Sequence, residues 1–126
     1  MNLVIIDYGS GNLRSVENAF KNSVRMNDFK VTINVTNNLN LISKADHLVL
    51  PGVGSFPDCK KGLQKINGLI DLLTNQVIYK RKKFLGICVG MQLMVNSSLE
   101  KKNTLGFGWL SGKFKKIKTN GLDYLG

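Results

Sequence analysis

The chain is predicted to form an α/β fold, an open, mostly parallel sheet with helices on both faces. Three observations carry this. Short apolar runs of strand length alternate with segments of helical periodicity. The first run, Leu3-Val4-Ile5-Ile6, is apolar at every position, as a central strand covered on both faces must be. The most unusual loops each follow such a run. Alternating strands and helices require parallel strands, and ligands then bind beyond the carboxyl ends of the strands. Residues 8–12, residues 51–56 and the turn at Cys88 are therefore expected to gather at one edge.

The elements follow in order. After the first strand, residues 7–12 form a glycine-rich turn. Leu13, Val16, Phe20 and Val24 then recur at helical spacing. Val31, Ile33 and Val35 alternate with polar residues, which suits a strand nearer an edge. Asn38 can cap a short helix carrying Leu39, Leu41 and Ile42. Leu48-Val49-Leu50 is a third strand, closed by Pro51-Gly52. Pro57 suits the first turn of a helix running towards Ile66. Leu69, Leu72, Leu73 and Val77 mark another helix, with Asn67-Gly68 as the break before it. Phe84-Leu85-Gly86-Ile87 is expected to be a buried strand, and residues 91–95 the start of a helix. Residues 104–112 are expected to be a glycine-punctuated loop, and residues 113–118 a further strand. With no repeat, low-complexity tract or linker, residues 1–126 read as one domain.

Bulk properties narrow the function classes. An apolar content of 43% is that of a globular protein rather than a disordered one. No apolar run approaches the ~18 residues of a membrane span. The amino terminus has neither the basic region nor the cleavage site of a signal peptide. Two cysteines, Cys59 and Cys88, are no disulfide framework, so a reducing, cytoplasmic setting is expected. The formal charge of +10 comes mostly from lysine spread over the chain. Its clusters, Lys80-Arg81-Lys82-Lys83, Lys101-Lys102 and residues 113–118, fall between or beside structural elements. Aromatic residues do not alternate with them as a stacking platform requires, so nucleic acid is not an expected partner. A positive field steering an acidic partner or anionic metabolite stays open.

The chemistry concentrates in Gly86-Ile87-Cys88-Val89-Gly90-Met91-Gln92. A cysteine between two glycines at a strand-to-helix turn has the layout of a nucleophile elbow. The glycines are expected to permit the sharp turn and to keep side chains off the sulfur. The helix amides behind Cys88 would favour its thiolate. Taken alone, Cys88 could be a buried structural cysteine, the commoner fate of a free cysteine; the glycines on both sides and the strand-to-helix position shift the reading to a nucleophile. Pro51-Gly52-Val53-Gly54-Ser55-Phe56 could be a simple turn, or could complete an oxyanion hole with the Val53 and Val89 N–H groups as donors. Gly9-Ser10-Gly11 lacks the third glycine of a dinucleotide loop, where Arg14 stands, and Asn37 and Asn38 replace its acidic residue. No cofactor is therefore expected. Cys59 is expected to serve packing. His47, the single histidine, stands at the amino end of a strand and is expected on the edge opposite Cys88. One histidine and two distant cysteines make no metal site.

Residues 86–93 resemble the nucleophile motif of class I, triad-type glutamine amidotransferases, and residues 48–56 resemble their oxyanion strand. Ile6-Asp7-Tyr8-Gly9-Ser10-Gly11-Asn12-Leu13-Arg14-Ser15-Val16 is similar to the N-terminal signature of glutaminase subunits of imidazole glycerol phosphate synthase, an enzyme of histidine biosynthesis. Leu105-Gly106-Phe107-Gly108-Trp109 continues the likeness in register. Val89 stands where leucine is more usual. The resemblance implies a flavodoxin-like domain that hydrolyses glutamine to glutamate and ammonia. Cys88 would attack the side-chain amide. Gly52, Val53 and Val89 would hold the oxyanion. Gly54, Gly90 and Gln92 would bind glutamine. The loop around Asn12 would face a barrel-shaped cyclase subunit, the heterodimeric partner that uses the ammonia to form imidazole glycerol phosphate and AICAR. The family's catalytic histidine and glutamate lie beyond the stretch matched here. The chain is therefore expected to be the N-terminal part of such a domain, without turnover of its own. Two alternatives stand beside this: another cysteine-elbow α/β protein, or a non-catalytic binding protein that keeps the fold.

Overall fold

Strands Asn2–Ile6 (β1), Thr32–Thr36 (β2), His47–Leu50 (β3) and Lys83–Gly86 (β4) form one parallel sheet in the order β2-β1-β3-β4. The computed structural model describes residues 1–100 and 102–117. Ile5 pairs with Val49, and Leu50 pairs with Gly86. All four strands thus point their carboxyl ends at one edge.

Side chains alternate across a strand, and the core divides accordingly. Leu3, Ile5 and Val49 face helix Leu13–Met26 (α1) through Leu13, Val16 and Phe20. Val4, Ile6, Leu48 and Leu50 face the opposite way. They meet helices Leu39–Lys44 (α2), Phe56–Gln64 (α3) and Leu69–Thr74 (α4) through Ile42, Phe56, Leu63, Leu69 and Leu73, all fully buried. Each such side chain contributes roughly 1.5–3 kcal/mol of transfer free energy. Helices therefore cover both faces, and β2 lies at an edge as its alternation implies. Caps start the helices where the sequence places them. Asn38 Oδ1 accepts the Leu41 N–H (3.1 Å), and Ser55 Oγ accepts that of Asp58 (3.2 Å). Gly68, at φ +81°, makes the break before α4. A π-helical turn, Asn75–Tyr79, follows α4.

Three expectations need correction. First, β4 is not a buried strand: Leu85 is 49% exposed and Phe84 only half-buried. It borders the sheet, and no described strand pairs with its outer side. Second, the helix after Cys88 is a single turn, Val89–Gln92 (α5), and Val95 already belongs to a strand, Val95–Ser98 (β5). Third, residues 104–112 are not one loop. They contain strand Thr104–Leu105 (β6) and the start of strand Leu110–Phe114 (β7), which flank β5 in a second sheet. The strand expected over residues 113–118 thus begins at Leu110 and ends at Phe114, and Lys118 lies outside the described residues. Long-range bonds decide this region: Asn96 Oδ1 accepts the Gly112 N–H (2.9 Å), and the Phe107 N–H donates to the Leu93 carbonyl (2.7 Å).

Candidate active site

The three loops meet as the parallel sheet requires. The Ile87 N–H donates to the Leu50 carbonyl (3.0 Å), which sets the Cys88 turn beside residues 51–54. The Tyr8 hydroxyl donates to the Pro51 carbonyl (2.6 Å), which joins the first loop to the second.

Cys88 is exposed and sits between β4 and α5 at φ +54°, ψ −121°. A non-glycine residue held there stores about 1–3 kcal/mol. The sharp turn is therefore carried by the cysteine itself, not by the flanking glycines. Gly86 and Gly90 serve close approach instead. A Cβ on Gly90 would lie 1.9 Å from the Leu50 carbonyl oxygen, and one on Gly86 2.6 Å from Met91 Cα. Without side chains, these two positions let α5 settle onto the ends of β3 and β4. The one-turn α5 offers little dipole to the sulfur. Its first amides are also committed elsewhere, Val89 N–H to the Gly52 carbonyl (3.3 Å) and Gly90 N–H to the Ile87 carbonyl (3.0 Å). Among the described residues, no hydrogen bond reaches the Cys88 sulfur.

Both expected oxyanion donors lie at the site, but neither is free. The Val53 N–H donates to Ser10 Oγ (3.1 Å), and the Val89 bond to Gly52 is long. An oxyanion would have to replace the Ser10 hydroxyl and the Gly52 carbonyl as acceptors. Val53 is 62% exposed. Gly54, at φ +102°, has open space around its Cα. Gln92 is half-buried one turn after Cys88, and its N–H donates to the Cys88 carbonyl (3.2 Å). Gly52 sits where a Cβ would meet the Tyr8 hydroxyl at 2.7 Å.

Residues 4–120 match the model of the family Glutamine amidotransferase class-I. The chain belongs to that family. Among relatives of this class-I amidotransferase chain are proteins named imidazole glycerol phosphate synthase subunit HisH. Those of Mesorhizobium japonicum and Pelagibacter ubique are 46% identical to it, and that of Brucella suis biovar 1 is 44% identical. Each alignment covers 93% of this chain. The chain spans about half the length of these curated relatives, 54–55%.

Of the remaining candidates, His47 falls away from this amidotransferase site. His47 lies at the amino end of β3, roughly 10 Å of strand from the Leu50 end, with Nε2 3.1 Å from Met1 Sδ. Asn12 is exposed, and its Oδ1 accepts the Ser15 N–H at 3.4 Å to cap α1. Cys59 does more than pack. It is buried on α3, its sulfur 3.3 Å from Ser10 Oγ and 3.5 Å from the Val53 carbonyl. Ser10 Oγ also donates to that carbonyl (2.9 Å).

Tyr8, Ser10 and Cys59 thus support the loop from below, a role the sequence analysis did not assign. One signal was available: Tyr8 and Ser10 are hydrogen-bonding residues directly after a fully apolar strand, in a loop already placed at the site. Burial, then the neighbouring Cys59, push the Tyr8 phenol well above the ordinary tyrosine range, so it remains a donor.

Proposed function

We propose that this chain supplies the nucleophile and the oxyanion loop of a glutaminase that works as a subunit of imidazole glycerol phosphate synthase in the cytoplasm. The observation that carries this is Cys88: exposed and strained, its sulfur without a hydrogen bond among the described residues, one residue from an amide that already touches Gly52. The Cys88 thiolate attacks the side-chain amide carbon of glutamine, and the carbonyl π electrons move onto oxygen. The Val89 and Val53 N–H groups take that oxyanion in place of their present acceptors. The intermediate collapses, the C–N bond breaks and ammonia leaves once protonated. Water then hydrolyses the glutamyl thioester to glutamate and frees the thiol. Gly54, Gly90 and Gln92 flank the glutamine. The protons need a base; among the described residues no hydrogen bond reaches the Cys88 sulfur, and the single histidine lies at the far end of β3. The loop carrying Asn12 faces the cyclase subunit, which consumes the ammonia.

The test is ammonia release from glutamine by this chain fused to the remaining half of the Mesorhizobium japonicum relative, with a cyclase subunit present. Turnover that vanishes in Cys88→Ala is expected, with none from residues 1–126 alone. Turnover that survives Cys88→Ala would refute the proposal.

A further inference from the structure

We propose that Tyr8 is a positioning residue whose buried hydroxyl anchors the Pro51–Gly52 backbone against the Cys88 turn and so sets the place of the oxyanion donors. This rests on the glutaminase proposal for its consequence, but the anchoring itself is independent of it.

Tyr8 is only 6% exposed, and its hydroxyl reaches the Pro51 carbonyl at 2.6 Å in a buried contact. Space around it is closed on two sides. A Cβ on Gly52 would lie 2.7 Å from the hydroxyl oxygen, and one on Gly62 of α3 would lie 3.1 Å from ring carbon Cδ2. The ring therefore cannot swing away without moving either the loop or the helix. From Pro51 the connection continues. The next carbonyl, that of Gly52, accepts the Val89 N–H directly after the nucleophile. Tyr8, Pro51, Gly52 and Val89 thus form an unbroken path from β1 to the Cys88 turn. A phenylalanine would fill the same core volume, so packing alone does not account for the hydroxyl. Its role is to hold one carbonyl, and with it the peptide that carries the neighbouring donor. Val53, the next residue, is bonded further by Ser10 Oγ and by the Cys59 sulfur at its carbonyl, and both of those side chains also border the Tyr8 hydroxyl.

The experiment is backbone amide hydrogen exchange by NMR on residues 1–126, wild type against Tyr8→Phe. Exchange at Val53 and Val89 should rise about tenfold, the factor one hydrogen bond carries. Exchange at the sheet amides of Ile5 and Leu48 should stay within about twofold. Equal acceleration everywhere, or none at Val53 and Val89, would overturn the anchor. Ser10→Ala provides a second reading that leaves the Tyr8 ring in place. It should accelerate Val53 while Val89 stays protected, and loss of protection at Val89 there would also count against Tyr8. In the fused glutaminase, Tyr8→Phe should lower kcat about 10- to 100-fold with KM little changed. Unchanged kcat beside an active wild type and an inactive Cys88→Ala would refute the positioning role alone. Wild-type turnover that survives Cys88→Ala would instead refute the glutaminase proposal, and the exchange data would still decide the anchor.

Discussion

Cys59 and Cys88 border the same loop and are held in opposite ways. Cys59 lies inside α3, 1% exposed, with its sulfur against Ser10 and the Val53 carbonyl. Cys88 stands in solvent at φ +54°, and no described group bonds its sulfur. The same residue type is a structural spacer in one place and a candidate nucleophile in the other. The difference teaches that backbone strain and solvent access, not the thiol itself, set the candidate position apart.

The comparison breaks most visibly in activity. In the fused glutaminase, Cys88→Ala should cost about 10⁴-fold or more in kcat, as loss of a nucleophile does. Cys59→Ala should cost less than about tenfold, through the loop it supports. An equal loss from both, measured as ammonia release, would erase the distinction.

The turn that sets up Cys88 should fail when its close approach is blocked. Gly90→Ala places a methyl group against the Leu50 carbonyl, 1.9 Å away before relaxation. Destabilisation beyond about 4 kcal/mol is expected, a size reserved for clashes of this kind. Gly54→Ala meets open space but must keep φ at +102°, so it should cost only about 1 kcal/mol. Urea denaturation followed by circular dichroism ranks the two.

Thiol chemistry gives a smaller, direct measure. Limiting iodoacetamide should label Cys88 about 100-fold faster than Cys59 in the folded chain, because only the exposed sulfur is accessible. In denaturant the two rates should agree within about threefold. Peptide mass mapping reads both, and preferential labelling of Cys59 in the folded state would reverse the assignment.

The support beneath the loop should be visible at high pH. Burial raises the folded Tyr8 pKa above its unfolded value of about 10. The unfolded chain then loses the proton first, so the stabilisation is complete below about pH 10 and declines as pH rises beyond it. The slope should approach about 1.4 kcal/mol per pH unit. Tyr8→Phe should lack this component in paired denaturation curves. Least in size, Cys88→Gly should stabilise the fold by about 1 kcal/mol, the strain relieved less the glycine entropy cost. A loss of stability there would mean that the thiol packs more than it strains.

Much of this arrangement was legible beforehand. Leu3-Val4-Ile5-Ile6 could only be covered on both faces, and β1 lies between β2 and β3 with helices on either side. Asn38 and Gly68 marked helix starts by local chemistry alone. The meeting of the three loops followed from strand direction. The readings that failed concern what lies next to an element rather than what it is made of. Phe84-Leu85-Gly86 has the composition of a buried strand, yet Leu85 is half exposed because β4 borders the described sheet. Val95-Asn96-Ser97-Ser98 carries no clear period, and its strand exists through partners in β6 and β7.

The same division runs through the site. Sequence alone determined that Cys88 is the nucleophile candidate and that residues 51–54 accompany it, because glycine spacing and strand order are local, one-dimensional signals. Only the tertiary structure decided that Gly86 and Gly90 are there for contact and that Cys88 bears the turn. It alone decided that Val53 and Val89 already have acceptors, and that Tyr8, Ser10 and Cys59 hold the loop. The physical reason is that a hydrogen bond between residues 43 positions apart, as from Tyr8 to Pro51, leaves no periodic trace in either segment. Its partners become neighbours only when β1 and β3 pair.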